Sequence, residues 1–176
     1  MKINNKIHFN QLSIDEMRPS LNYIYFFDDY CYITDSYVLM KIHQFDFFGG
    51  FVISQFDTLN NKMVKIKDVA MLYNKRFKIE NDNFVFNDSI SIKIYSTDRT
   101  DFKPLSKESF EKLLNDDGKD PKKGHWVKTR HFRKAINLYT GKLFEFTDKG
   151  TFNKIKFTDS GLMENVEIIC MNAYQD

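Results

Sequence analysis

Cysteine, proline, glycine and tryptophan are all scarce, and each shortage removes a class of explanation. Cys31 and Cys170 are the only cysteines. Both sit inside apolar strand patterns and neither has the paired spacing of metal ligands, so they read as buried free thiols in a reducing compartment. The seven glycines form no phosphate-cradling loop, and no Ser-His-Asp or Cys-His order accompanies a nucleophile turn. His8, His43, His125 and His131 are scattered, with no two at metal-ligand spacing, and His125 and His131, beside basic residues, read as polar surface groups. Asp28, Asp29 and Asp35 fall at turns, which is reason enough for them. The expectation is a protein with no catalytic residue, metal or cofactor. No stretch approaches membrane-spanning length, and the opening MKINNKIHFN lacks the apolar core of a signal peptide, so a cytoplasmic protein without a membrane partner is expected. A formal charge of +2 does not by itself announce nucleic acid, so that argument rests on where the cations lie.

What the chain has in abundance is aromatic side chains: 16% of residues, 18 of them Phe and 9 Tyr, a composition that favours sheet. The densest stretch, Met17 to Ile42, centres on a hairpin. Leu21–Phe27 and Tyr30–Ile33 are separated only by Asp28 and Asp29, the spacing of a two-residue β-turn. Leu21, Tyr23, Tyr25 and Phe27 share one face while Ile24 and Phe26 share the other, so the hairpin needs cover on both sides and belongs at the centre of a sheet. Thr34-Asp35-Ser36 is a turn into a further strand, Tyr37–Ile42. Upstream, Ser13-Ile14-Asp15-Glu16 matches a capping box for a helix of about one turn before Pro19.

Downstream, Phe51–Phe56 reads as a strand. Ile66, Val69, Ala70, Tyr73 and Phe77 then recur at helical spacing, with Lys67, Lys75 and Lys78 on or beside the opposite stripe. Phe84–Phe86 and Ile90–Tyr95 read as strands. Residues 98–124 read as a loose linker with one anchored turn, a short helix capped by Ser106 whose Phe110, Leu113 and Leu114 dock inward. The last part, 125–176, gives a short strand at Trp126-Val127 and a helix from Thr129 with Phe132, Ala135, Ile136 and Tyr139 inward, ending at Gly141 as a left-handed cap. Three strands follow: Lys142–Phe146, Phe152–Phe157 and Glu164–Met171. We read residues 1–176 as one domain with sub-units at about 1–60, 61–97 and 125–176. The fold class is α+β, an antiparallel sheet with two main helices packed on one face, built from repeated β-α-β-β units.

Arg18-Pro19-Ser20-Leu21, followed by the hairpin and Ile33-Thr34-Asp35-Ser36-Tyr37-Val38-Leu39, resembles the DNA sliding clamp family, the beta subunit of bacterial DNA polymerase III. Such proteins carry an Arg-Pro-x-Leu entry, a hairpin and an Ala-Thr-Asp-x-x-x-Leu segment; Ile33 stands in place of the alanine. The final strand ends at Met171, followed by Asn172 where clamp domains usually have Met-Pro. The specific motif covers about twenty residues and the arrangement most of the chain. Two departures stand out: Leu12–Met17 is far shorter than the first clamp helix, and the length suffices for about one clamp domain. The resemblance implies a DNA-clamp-like domain and a processivity-factor relative in DNA replication or repair, with duplex DNA, replication or repair proteins and a second copy of the chain as its partners.

Clamp helices present Lys and Arg to the duplex backbone with no base readout, since a sliding protein holds phosphates without preferring a sequence. Lys67, Lys75 and Lys78 on one helix, with Lys128, Arg130, Arg133 and Lys134 on the other, are the candidate DNA contacts; solubility alone also accounts for Lys-rich faces. Phe47, Phe48 and Phe51, crowded around Gly49-Gly50, are a candidate docking patch, weighed against ordinary core packing. The alternative function is a clamp-fold adaptor or decoy that binds protein and not DNA.

Overall fold

The computed structural model describes residues 1–50, 56–87, 90–98, 101–116, 129–141, 144–149, 152–158 and 166–171. The elements run β1 (Tyr23–Phe27), β2 (Tyr30–Thr34), β3 (Val38–His43), α1 (Gln44–Phe47), α2 (Phe56–Leu59), β4 (Lys62–Lys65), α3 (Ile66–Ala70), β5 (Lys78–Glu80), β6 (Asn83–Asn87), β7 (Ile90–Lys93), β8 (Tyr95–Ser96), α4 (Lys107–Asn115), α5 (Thr129–Leu138), β9 (Phe144–Asp148), β10 (Phe152–Phe157) and β11 (Val166–Met171). An eight-stranded sheet has the order β8-β4-β1-β2-β3-β11-β10-β9, and β5-β6-β7 form a separate three-stranded sheet. Every pairing is antiparallel. The class is therefore α+β with a large antiparallel sheet.

The aromatic hairpin lies near the centre, as its two-sided pattern requires. Phe27 pairs with Tyr30 across Asp28-Asp29, and Asp28 takes a positive φ of 48°, a backbone state that Asp tolerates better than most residues. All five β1 residues are buried. Side-chain alternation sends Ile24, Phe26, Cys31, Ile33, Met40, Ile155 and Ile168 to one face and Tyr25, Phe27, Tyr32, Leu39 and Ile169 to the other. The first face meets Val69 and Leu72 from α3 and the turn after it, Ala135 and Leu138 of α5, and Phe84 of the small sheet. The second face meets Phe110 and Leu114 of α4, with the Phe110 ring stacked on Tyr32 at 5.0 Å. Cys31 and Cys170 are both buried free thiols.

Several expectations need correction. Residues 12–18 contain no helix. Asp15 turns its carboxylate back on its own segment, where it accepts hydrogen bonds from the backbone N–H groups of Met17 and Arg18 at 3.0 and 2.9 Å and pairs with the Arg18 guanidinium at 2.6 Å. Such local bonds compete with helix formation. The helix expected over 66–78 is only Ile66–Ala70, because the chain turns through Asn74 at φ 61° and re-emerges as β5. The described part of 98–124 holds more than one anchored turn. Ser106 does cap a helix there, accepting from Ser109 N–H, but that helix is nine residues long and covers the second sheet face, with Leu113 turned to solvent. Gly141 is not in the left-handed region. It is glycine for closeness, since a Cβ there would lie 2.3 Å from Phe157 Cδ1. The strand expected at Phe51–Phe56 falls mainly outside the described residues, and Phe56 itself begins α2.

The strand orders around the two helices on the first face also differ. After α3, strands β5, β6 and β7 form their own small sheet, whereas after α5 strands β9, β10 and β11 extend the large one. β4, which was not expected, pairs with β1 and carries Met63 and Val64 to opposite faces. Ile90–Tyr95 divides between β7 in the small sheet and β8 at the edge of the large one.

Candidate functional site

The first sheet face carries the helices on which the cations were placed. Between them lies the start of the chain. Residues Phe9–Gln11 form a single 3-10 turn packed against both α3 and α5. The segment is fastened on each side: His8 N–H donates to Leu138 O at 2.9 Å and Thr140 N–H to Lys6 O at 2.8 Å, while the Tyr73 hydroxyl donates to Asn5 O at 2.6 Å. The two basic stripes are thus spaced apart by an inserted strip of chain.

Each proposed cation has a distinct setting. Arg130 and Arg133 on α5 are exposed, on the side of the helix away from the buried Ala135 and Leu138. Residues 129–138 contain no acid. Lys67 is exposed on α3. Lys75 is half-buried, its ammonium 4.8 Å from the centre of the Phe86 ring. Lys78 lies on β5 instead of a helix and pairs with Glu80 at 2.8 Å. Lys128 lies outside the described residues.

Lys134 is the exception on α5. Its ammonium pairs with Asp35, whose side chain is fully enclosed, and also donates to Ser13 Oγ at 2.8 Å. The same carboxylate accepts from Ser13 N–H at 2.8 Å and from the N–H groups of Tyr37 and Val38 at 3.2 Å. Asp35 therefore ties the β2–β3 turn, the N-terminal segment and α5 together, and Lys134 neutralises it there. Tyr37 lies across this knot, its ring tilted against that of His131 at 4.5 Å with the Lys134 ammonium 5.6 Å from its ring centre. Sequence reading found the turn at Thr34-Asp35-Ser36 but not the cation 99 positions away.

The expected aromatic docking patch is not a surface. Phe47 and Phe48 are completely buried, edge-to-face with one another at 4.9 Å and packed on Phe26. Gly49 and Gly50, at φ 66° and 84°, turn the chain so that both rings point inward. Phe51 lies outside the described residues.

The second face holds a polar cluster under α4. The Tyr32 hydroxyl donates to Glu111, and Lys41 pairs with the same carboxylate at 2.8 Å. Burial, then the adjoining Glu111 carboxylate, pushes the Tyr32 phenol well above its ordinary range. Burial opposes ionisation of Glu111, but its bonds from Lys41 and Tyr32 outweigh this and hold its pKa low. The cluster closes the α4 contact. Among the described residues, no group of three or more His, Cys, Asp or Glu side chains is placed to hold a metal, and no helix is long and apolar enough to cross a membrane.

A groove of about 540 Å³ lies between the N-terminal segment and α3, lined mainly by apolar side chains with Lys65 and Lys67 at its border. Comparison with protein-family models, curated proteins and solved structures gives no match.

Proposed function

We propose that this chain is a non-enzymatic, sliding-clamp-related protein of DNA replication or repair, in the cytoplasm, that holds duplex DNA by its phosphates and reads no base. The observation that carries this is the outer face of α5, where Arg130 and Arg133 are exposed on an acid-free helix lying over the same sheet face as α3. Two guanidiniums one turn apart suit successive phosphate oxygens, and such contacts fix position without carrying sequence information. The Arg18-Pro19 entry and the Thr34-Asp35 turn support the clamp-like part of the reading. The basic surface is narrower than the sequence suggests, because Lys78 and Lys134 are committed to Glu80 and Asp35.

That narrowing favours a second reading, a clamp-fold adaptor or decoy that binds replication or repair proteins and no DNA. The two separate on affinity for two duplexes of unrelated sequence over a range of salt. Equal affinities that fall together with salt support the first, and absence of duplex binding at low salt supports the second. Mass in solution adds the geometry: a ring needs several copies of a chain this size, and a monomer cannot encircle a duplex.

A further inference from the structure

A second recess lies where the N-terminal segment meets the end of α5. Its volume of about 520 Å³ falls within the range of small-ligand sites. Asn10, Gln11 and Asn137 line it together with Phe144 and the buried Phe157, and its described lining includes no acid, lysine or arginine. The side-chain amides of Asn10, Gln11 and Asn137 have no hydrogen-bond partner among the described residues. Phe144 lies on β9, the edge strand of the large sheet, its ring tilted against Phe157 at 5.9 Å and 52% exposed. Phe146 follows on the same face of that strand, about 6.8 Å further along, 45% exposed and edge-on to Phe132 at 5.6 Å. Tyr37, Phe144 and Phe146 are the exposed aromatic side chains among the described residues, and all three border α5. Arg130, Arg133 and Asn137 follow one exposed stripe of that helix. About 6 Å of helix axis separates Arg133 from Asn137, so the arginine ridge leads into the recess.

We propose that this recess takes an unpaired nucleobase of a DNA strand whose phosphates run along Arg130 and Arg133. The inference rests on the phosphate reading of α5 and extends it from backbone to base. Each part of a nucleotide has a counterpart here. Phe144 offers ring surface to one base, with Phe146 placed for the next, and such stacking tolerates any base because every base has a π-face. The three amides supply both donors and acceptors, the combination that meets the polar edge of a base. The guanidiniums supply the phosphate contacts. Amides and a ring alone would suit an uncharged sugar equally, and the cationic ridge at the mouth selects a ligand that is joined to phosphate. Spacing selects the single strand: bases of a duplex lie about 3.4 Å apart along each strand, half the separation of the two rings, so only bases freed from the stack reach both.

Fluorescence anisotropy on the full chain at fixed salt tests this with three labelled probes: a blunt duplex, the same duplex with a short adenine overhang, and that overhang with abasic sugars in place of its nucleotides. The adenine overhang is expected to bind about tenfold or more tighter than the blunt duplex. The abasic overhang, with the same phosphates, loses most of that gain. Phe144→Leu, which keeps apolar cover over Phe157, removes the gain and leaves blunt-duplex binding as it was, while Phe144→Tyr, which keeps the ring, retains it. Asn10→Ala combined with Asn137→Ala, both at exposed positions, reduces the gain and covers the case in which Phe144→Leu does not fold. Blunt-duplex binding with no gain from the overhang overturns the inference and leaves the duplex reading standing. Binding of the overhang probe that needs its bases, with no affinity for the blunt duplex, supports the recess and removes the duplex reading. The inference is also overturned by equal affinity for the adenine and abasic overhangs, by a gain indifferent to both sets of variants, or by absence of DNA binding. Adenosine monophosphate binding as tightly as the overhang probe overturns it too, since a free nucleotide is then the ligand.

Discussion

Asp35 and Lys134 show how misleading residue type can be without a partner. On the helix alone, Lys134 belongs with Arg130 and Arg133 as a solvated cation. In the fold it is largely covered and faces a carboxylate whose side chain is fully enclosed. Breaking a buried pair by removing one member leaves an uncompensated charge, typically at a cost of about 3–5 kcal/mol. Urea denaturation of Lys134→Gln is therefore expected to show a loss in that range, and Asp35→Asn a loss of similar size, whereas Arg130→Gln and Arg133→Gln stay within about 0.5 kcal/mol of the parent. Equal stability of all four variants would remove Asp35 from its role as the tie between turn, N-terminal segment and helix.

The phenols under α4 make a pH prediction. Burial pushes Tyr25 up to about 12 and Tyr32 further, with Glu111 adding to the shift in Tyr32. Both are raised above the unfolded value of 10.0, so the native state holds these protons more tightly. Their contribution is complete below about pH 10 and is lost as pH climbs through the native values. Glu111 works in the opposite sense: its lowered pKa stabilises above its ordinary 4.5 and is lost as pH falls. Stability measured against pH is expected to fall above about pH 10, with a shallower fall in Tyr32→Phe.

Among the elements, those written as alternation were legible, whereas helical spacing was legible in α5 and misleading in α3. The hairpin, β3, β10 and β11 fall where β-branched and aromatic residues alternate, because a period of two fixes faces without reference to anything distant. The α3 stripe ran on too far. Phe77 keeps helical register with Val69, and only the positive φ at Asn74 shows that Phe77 reaches the core from the approach to a strand. β4 was missed because its two buried residues, Met63 and Val64, lie between lysines in a segment of four, too short for a pattern. α4 was underestimated by the polar run beside it. Phe110→Ala is expected to cost about 3–5 kcal/mol, as a buried aromatic in a packed interface does, while the same change in a loose linker would cost almost nothing. Gly141→Ala tests a close approach: overpacking against the Phe157 ring costs about 1–3 kcal/mol, and adding Phe157→Leu recovers part of it, whereas a left-handed cap would show no such recovery.

At the scale of the molecule, the layers follow from the hairpin's demand for cover on both faces: α3, α5 and the small sheet on one, α4 on the other. The N-terminal segment that separates α3 from α5 could not be read from the sequence, since it is held chiefly by backbone hydrogen bonds to Leu138 and Phe47 and by Lys6 O, none of which depends on residue type. That segment divides the first face into two surfaces: an acid-free helix with two outward arginines, and an apolar groove with two lysines at its border. Functional legibility follows the same line. Arg130 and Arg133 were visible as an exposed stripe, while the groove exists only through the meeting of segments more than forty residues apart.

The claim that this molecule works by holding duplex phosphates through α5 is tested most directly by the salt dependence of duplex binding in the parent and in the Arg130→Gln, Arg133→Gln double variant, with Lys134 left in place so that the fold is not disturbed. Each phosphate contact contributes about 0.9 to the slope of log affinity against log salt. The account predicts that the double variant stays folded, binds more weakly and loses roughly 2 from that slope. A folded double variant with the parent's affinity and slope would contradict it.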